Sequence, residues 1–478
     1  MVRSGTMRTV PFRTDDVTHS THSRLKSRRQ ALQVGGLQAL GLPLAGLLQA
    51  EAVAKAAELN PRLRTKSCIF LFLYGGPSQL DTFDPKPVAP VEVRGEFQPI
   101  ATSVPGTFLS EHLPQMSRLA DRYSIIRSIQ HNNRSHNPAS GWMLTGVDPE
   151  TDIDLKTPPG PDDPPALGSL AAKLSPSQTG LPSFVMLPAR LYFDPGIYFR
   201  GQAAGWLGGR YDPLMIQQDP NSPTFRIDAF TQPAEITGER LLRRRDLFAT
   251  LDRSLGNDQP LPASMTEFQQ RALELLLSDR GRLAFDLSQE PDRIRERYGR
   301  TMFGQGCLLA RRLIESGVRL VTVSDCTQAG LHEWDTHENN FSKLKGTLLP
   351  RLDQAFSALM QDLADRGLLE DTVVYLGGEF GRTPRVGQST GSGADANGRD
   401  HWTNCFSGLM AGGLTQPGTV HGASDSIAAY PDRDRVKPED VTATLLAAMG
   451  LNPKTIVYTT ENQPKLSSNG NVIKTLLR

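Results

Sequence analysis

The 478-residue sequence predicts an α/β fold in which a largely parallel central sheet is covered by helices on both faces. Six short apolar runs carry the strand half of this expectation: "SCIFLFLYGG" (67–76), "YSIIRSI" (123–129), "SFVMLP" (183–188), "VRLVTVSD" (318–325), "DTVVYLGG" (371–378) and "CFSGLMAGG" (405–413). The runs are short and bounded by Gly, Pro or Asp, so they read as buried strands. Helical patterns lie between several of them, notably "GCLLARRLIESG" (306–317) and "LLPRLDQAFSALMQDLADRG" (348–367), each closing on a glycine that stops the helix. Strands alternating with helices favour parallel pairing, because the crossover helices then cover the sheet. The content of 43 Gly and 35 Pro suits many strand-to-helix turns and long surface loops.

The first segment has a different character. In "SRRQALQVGGLQALGLPLAGLLQAEAVAKA", Arg28 and Arg29 precede a mildly apolar run from Ala31 to Leu48, followed by the small-residue site Ala52-Val53-Ala54. This is the outline of a twin-arginine export signal over residues 1–54. Gln33, Gln38, the glycines and Pro43 make the run a poor membrane span, so no stable span is expected. An uncleaved anchor and a cytosolic amphipathic helix are the alternatives. The expected partner is the twin-arginine translocation machinery, and the expected location is the periplasm or cell envelope.

Residues 55–478 read as a single domain. A charged helical stretch at about 234–300 is expected to form an inserted cap, and 157–168, 254–264 and 386–399 read as loops. The last lies between a strand and an Asp-His pair, either as a mobile flap or as a surface loop without a role. Cys68, Cys307, Cys326 and Cys405 form no CxxC pair and read as core thiols. Lys plus Arg number 52 against 51 Asp plus Glu, a balance that argues against a nucleic-acid partner.

In an open parallel sheet, ligand sites form beyond the carboxyl ends of the strands. Polar residues gather there: Asp81 and Asp84 after the first strand, His332, Asp335 and His337 after the fourth, and Glu379, Arg382 and Arg385 after the fifth. Asp400 and His401 stand just before the sixth. Histidines also bunch, as His131 with His136, His332 with His337, and His401 with His421. Carboxylates and imidazoles on several strand ends suit zinc, manganese or iron better than calcium, as one or two divalent ions. Two ions can clamp an ester and lower the pKa of a bound water. Arg134, Arg382, Arg385 and Arg399 supply planar donor forks for a tetrahedral anion, with surface ion pairing as the plainer reading.

These stretches resemble a family. "LPQMSRLADRYSIIRSI…HNPASGWMLTG" looks like the sulfatase stretch in which "TPNLDRLA" leads to a nucleophile motif ending in "LTG", and "LDQAFSALMQDLADRGLLEDTVVYLGGEFG" is similar to the helix and strand that end in "SDHG". With "GGPSQLDTFDPKP", "WDTHENNF", "GRDHW" and "VKPEDVTATLLAAMGLNP", the pattern resembles the exported DUF1501 proteins of the alkaline phosphatase/sulfatase superfamily. The resemblance implies an alkaline-phosphatase-like α/β sandwich with metals at the strand ends. It implies Asp81, Asp335, His337, Glu379 and His401 as ligands, and Phe380 stands where relatives keep a histidine, so Asp400 or His136 is the expected replacement.

The nucleophile motif departs further. His136 occupies the position of the reactive Cys or Ser, with Ser135 beside it, and Ser140 replaces the motif's arginine. A formylglycine sulfatase is therefore not expected. The resemblance leaves three readings. His136 is a metal ligand and a metal-bound hydroxide attacks a phosphate or sulfate ester on a small molecule or polysaccharide. Ser135 is the nucleophile, assisted by His136. Or the chain is a non-catalytic exported binding or assembly protein on a retired hydrolase fold.

Overall fold

The computed structural model describes residues 66–149, 156–192, 197–227, 243, 247 and 279–478. The signal segment and most of the expected cap lie outside the described residues. Each of the six apolar runs forms a strand, and two two-residue strands complete an eight-stranded sheet. In chain order these are β1 (Ser67–Leu73), β2 (Tyr123–Ile129), β3 (Phe184–Leu187), β4 (Leu214–Met215), β5 (Leu320–Asp325), β6 (Thr372–Gly377), β7 (Phe406–Gly412) and β8 (Val420–His421). Their order across the sheet is β8-β2-β7-β6-β1-β5-β3-β4, and only β7 runs antiparallel to its neighbours.

Alternation along β1 shows why the sheet needs cover on both sides. Ile69, Leu71 and Leu73 enter one hydrophobic core, while Cys68, Phe70, Phe72 and Tyr74 enter the other. The first core packs under α3 (Met302–Glu315) and α4 (Leu349–Asp365), and the second under α1 (His136–Thr145), α2 (Leu167–Leu174) and α5 (Pro438–Ala448). The fold class is therefore the expected α/β sandwich. All four cysteines are buried and unpaired by disulfides, as core thiols should be. Among the described residues no helix is long and apolar enough to cross a membrane.

The sulfatase-like "LTG" ending has a packing role. Leu144 sits in the second core, and Gly146 caps α1 in the left-handed region at φ 71°. A Cβ at Gly146 would lie 2.4 Å from the Thr442 hydroxyl on α5, so glycine permits both the turn and the close approach of the helices.

Residues 279–300, the described end of the expected cap, are helical, but Phe285, Leu287 and Tyr298 are buried in the first core. Charge pins this stretch to α3 and α4. Arg311, 1% exposed, reaches Glu290 at 2.8 Å, Glu315 at 2.7 Å and Asp362 at 2.8 Å, and Tyr298 donates to Asp362 at 2.9 Å. Burial works to raise the Glu290 and Asp362 carboxyls, but Arg311 and the neighbouring arginines outweigh it and hold both below the ordinary range.

Replacing Arg311 with Leu removes the cation that Glu290 and Asp362 share and leaves them to Arg312 and Arg366, and denaturant unfolding at pH 7 should register a loss of about 1–3 kcal/mol. Depressed carboxyl pKa values stabilise the fold above the unfolded-state value and lose that effect as pH falls through the folded-state value. The unsubstituted protein should therefore lose stability below roughly pH 4, and the Arg311→Leu variant should show the shallower acid profile.

Candidate metal centre at the carboxyl ends of the strands

Strand register brings the site loops together. Leu73 on β1 pairs with Asp325 on β5, and Phe72 pairs with Gly377 on β6, so the loops that follow these three strands emerge side by side. The loop after β5 is hung on the one after β1, since Glu333 and Trp334 both donate backbone N–H groups to the Tyr74 carbonyl. Trp334 is fully buried and donates to Asp325 at 2.9 Å, which fixes the next residue, Asp335. Gly75 makes the approach possible: with φ 119°, it would bring a Cβ to 2.4 Å from the Asp335 nitrogen.

Asp335 is the centre of the arrangement. Its Oδ1 lies 2.6 Å from Arg382, 2.9 Å from His337 Nε2 and 3.2 Å from His401 Nε2, while Oδ2 lies 3.3 Å from His136 Nε2. Burial works to raise this carboxyl, but Arg382 and the three imidazoles outweigh it and hold it well below the carboxylate range. Burial likewise disfavours charge on His136, but Asp335 and Glu379 outweigh it and raise the ring above its ordinary pKa. His401 is lowered, burial being the main cause, and is neutral at pH 7.

The far side of each ring fixes its tautomer. His337 Nδ1 meets the Gly393 carbonyl, and His401 Nδ1 meets the Arg134 carbonyl at 2.8 Å. A carbonyl oxygen can only accept, so both Nδ1 atoms carry a proton, and the Nε2 atom of each ring is left with a lone pair in the neutral form. Those two Nε2 atoms are 2.9 Å apart and share Asp335 Oδ1 as a neighbour. Atoms this close need a proton or a metal ion between them, and ligands on a tetrahedral zinc with bonds of about 2.0–2.1 Å stand only slightly farther apart. The donor set of imidazole nitrogens and a carboxylate suits zinc, manganese or iron.

His136 stands at the first position of α1, its Nδ1 2.6 Å from Glu379 Oε1. Glu379 is completely buried and also receives the Gly75 N–H at 2.9 Å. It thus stands behind His136 and orients it, rather than meeting Asp335 directly. His131, which burial pushes down to about 4 against a hydrogen bond to the Glu379 carbonyl, is a neutral imidazole that anchors this backbone at 2.6 Å. Asp400 has a related part. Its oxygens accept from the backbone nitrogens of His401 at 2.7 Å, Thr390 at 2.6 Å and Gly393 at 3.1 Å, and Oδ1 lies 3.4 Å from His337 Nδ1. Two groups with metal-ligand spacing result, His136–Asp335–His401 and His337–Asp400–His401. The 386–399 loop therefore supplies the Gly393 carbonyl to the site through contacts that Asp400 organises.

Other expected site residues lie elsewhere. Asp81 is not among the converging groups, because its carboxylate takes Arg399 Nε at 2.8 Å and Asn340 at 3.0 Å. Arg399 spends its remaining donors on the carbonyls of Thr383, Pro384 and Val93. Arg382 donates to the carbonyls of Gly75, Gly76 and Arg399 besides pairing with Asp335. Neither buried arginine keeps an open fork for an anion. Arg134 is exposed and turned to the Thr390 carbonyl at 3.3 Å, and Arg385 is exposed. Ser135 is exposed at the N-cap of α1.

Two residues noted in the sequence but given no role at the site also take part. His332 stacks on His136 with ring centroids 4.9 Å apart, and its Nδ1 lies 3.7 Å from Asp335 Oδ2. Its spacing three residues before Asp335 was the available signal. Phe380 is buried with its ring 4.9 Å from His136 and 4.5 Å from His401, and so forms an apolar wall.

A family model described as "Protein of unknown function (DUF1501)" matches residues 65–477. No curated protein matches the chain. Similar solved structures include a sulfatase from Pseudoalteromonas sp., 11% identical over 91% of this chain and 76% of that one, with a TM-score of 0.38. A phosphonate monoester hydrolase from Silicibacter pomeroyi is 10% identical over 87% and 76% with a TM-score of 0.37. The lipoteichoic acid synthase LtaP from Listeria monocytogenes is 12% identical over 82% and 73% with a TM-score of 0.34.

The arrangement makes Glu379 a test of ligand orientation. In a Glu379→Gln variant the Nδ1 partner loses its charge, and zinc or manganese affinity measured by competition with a chelating dye should fall about 10–100-fold while circular dichroism stays unchanged.

Proposed function

The chain belongs to the DUF1501 family over residues 65–477, and from that premise we propose that it is an exported, metal-dependent hydrolase of a phosphate or sulfate ester. The observation that carries the reading is the convergence of His337 Nε2, His401 Nε2 and Asp335 Oδ1, three atoms able to ligate a metal and separated by 2.9, 2.9 and 3.2 Å. His136, Asp335, His337 and His401 would hold the ion. His401 has only Nε2 to offer, because Nδ1 is committed to the Arg134 carbonyl, so one ion per chain is the proposed occupancy. A divalent ion held there supplies Lewis acidity towards an ester oxygen and lowers the pKa of water.

The protein's own groups prepare that environment. Glu379 keeps the His136 proton at Nδ1, and the Gly393 and Arg134 carbonyls do the same for His337 and His401, so three Nε2 atoms face inward. Arg382 ties Asp335 to the loop after β1 and prevents the buried carboxylate from protonating. Phe380 excludes water from the side between His136 and His401. Ser135, exposed on the turn before α1, has no part in this reading. The twin-arginine pair at Arg28 and Arg29 fits a chain that takes up its ion and folds before export to the periplasm or cell envelope. A small-molecule or polysaccharide ester is the proposed substrate class.

One observation favours a second reading, a non-catalytic binding or assembly protein. Arg382 and Arg399 are saturated by carboxylates and carbonyls, so no buried arginine among the described site residues is available to clamp a tetrahedral anion.

Elemental analysis of the purified protein beside an Asp335→Ala/His337→Ala double variant tests the site. About one transition-metal ion per chain is expected, lost in the double variant without loss of helix and strand signal. Metal content unchanged by the double substitution would sink the assignment. A panel of aryl phosphates, phosphodiesters and aryl sulfates then separates the two readings, since turnover that disappears with the ion supports the hydrolase and loaded protein without turnover supports the binding protein.

A further inference from the structure

A polar cavity of about 240 Å³ opens at the β2/β8 side of the molecule and takes no part in the centre around Asp335. Three cations line it, Lys86, Arg127 and Arg433, together with Thr107, Ser424 and a single carboxylate, Asp84. The chain brings them from separate places: the loop after β1, the middle of β2, and the short hairpin Ala423–Ser424 with Pro431–Arg433 that follows β8.

Charge at this cavity does not balance. Asp84 is 1% exposed, accepts a hydrogen bond from Ser424, and stands 3.1 Å from Lys86 Nζ and 3.4 Å from Arg127 Nε. It therefore gathers two cations with one negative charge. Arg127 is held rigidly, with Nε donating to the Phe83 carbonyl at 2.9 Å and Nη2 to the Phe108 carbonyl at 3.0 Å. Arg433 is exposed, and no carboxylate among the described residues pairs with it. Three positive side chains against one carboxylate leave a net excess of two at a concave, partly desolvated surface, where charge attracts a counter-ion more strongly than on a convex one.

We infer that this cavity binds a tetrahedral oxyanion, phosphate or sulfate, either free or as the ester group of a larger molecule. Arg433 supplies an exposed donor, Lys86 and Arg127 the ones held by Asp84, and the Ser424 and Thr107 hydroxyls complete a polar lining. Asp84 lies behind Lys86 and Arg127 and orients them. The site is independent of the hydrolase reading, and a protein with an inactive or empty metal centre would keep it.

The test uses the full chain with a His337→Ala substitution, so that the metal centre cannot supply the signal, and sodium sulfate and inorganic phosphate as probes in titration calorimetry. Saturable binding that weakens with added sodium chloride is expected. Arg433→Gln, at an exposed position, should weaken it about tenfold or more, and Arg433→Lys should restore part of the loss. Absence of saturable binding, or an affinity unchanged in Arg433→Gln, would overturn the inference. A sugar sulfate that binds tighter than sulfate would identify an ester arm as the ligand, and equal binding would identify the free anion.

Discussion

A fully ionised carboxylate at the carboxyl end of a buried sheet is the constraint around which this molecule is organised. Asp335 is about nine-tenths buried, and a charge in that position is stable only when cations or strong donors surround it. Arg382 supplies the positive charge, and the same guanidinium is fastened to backbone carbonyls of the loop after β1. Three imidazoles complete the ring, each fixed from behind by a carboxylate or a carbonyl. The loops after β1, β5 and β6 therefore cannot move independently. What fastens one to another is also what keeps a lone-pair cluster together.

Much of the fold was legible because burial leaves a strong mark on a sequence. A strand covered on both faces, such as "SCIFLFL", has few alternatives, and its glycine-rich exit is equally plain. Leu214–Met215 and Val420–His421 escaped notice because two residues carry no period at all. The centre was legible in part for a related reason. Carboxylates and histidines placed at strand ends in the sequence do meet in space, as Asp335, His337 and His401 do, with Glu379 behind His136.

What the sequence left hidden is which oxygen faces which nitrogen. Glu379 follows β6 as a ligand would, yet its carboxylate turns to His136 and Gly75. Asp81 follows β1 in the same way, yet Arg399 from a distant loop takes it. Both arginines with the strongest look of anion binders are structural cations inside the protein. Besides Asp335 and Asp81, their partners are backbone carbonyls, and a backbone carbonyl leaves no trace in residue identity. The signal segment and most of the 234–300 stretch fall outside the described residues, so the expectations placed on them stay with the sequence.

The one antiparallel strand, β7, has a consequence for how such a protein can diversify. Parallel strands deliver their following loops to the carboxyl pole, but β7 begins where they end: Phe406 lies beside Ile129, the last residue of β2. Asp400 and His401 consequently reach the centre from the segment that precedes a strand. The turn after β7, at Gly412–Gly413, lies at the opposite pole, against Thr372 and Leu369 at the entrance to β6. The molecule thus has a chemical pole and a mute one, and reversing a single strand enlisted one more loop for the first. Lengthening or exchanging the chain at the mute pole is the change such a sheet absorbs most easily, whereas every insertion at the other is a rewriting of the centre.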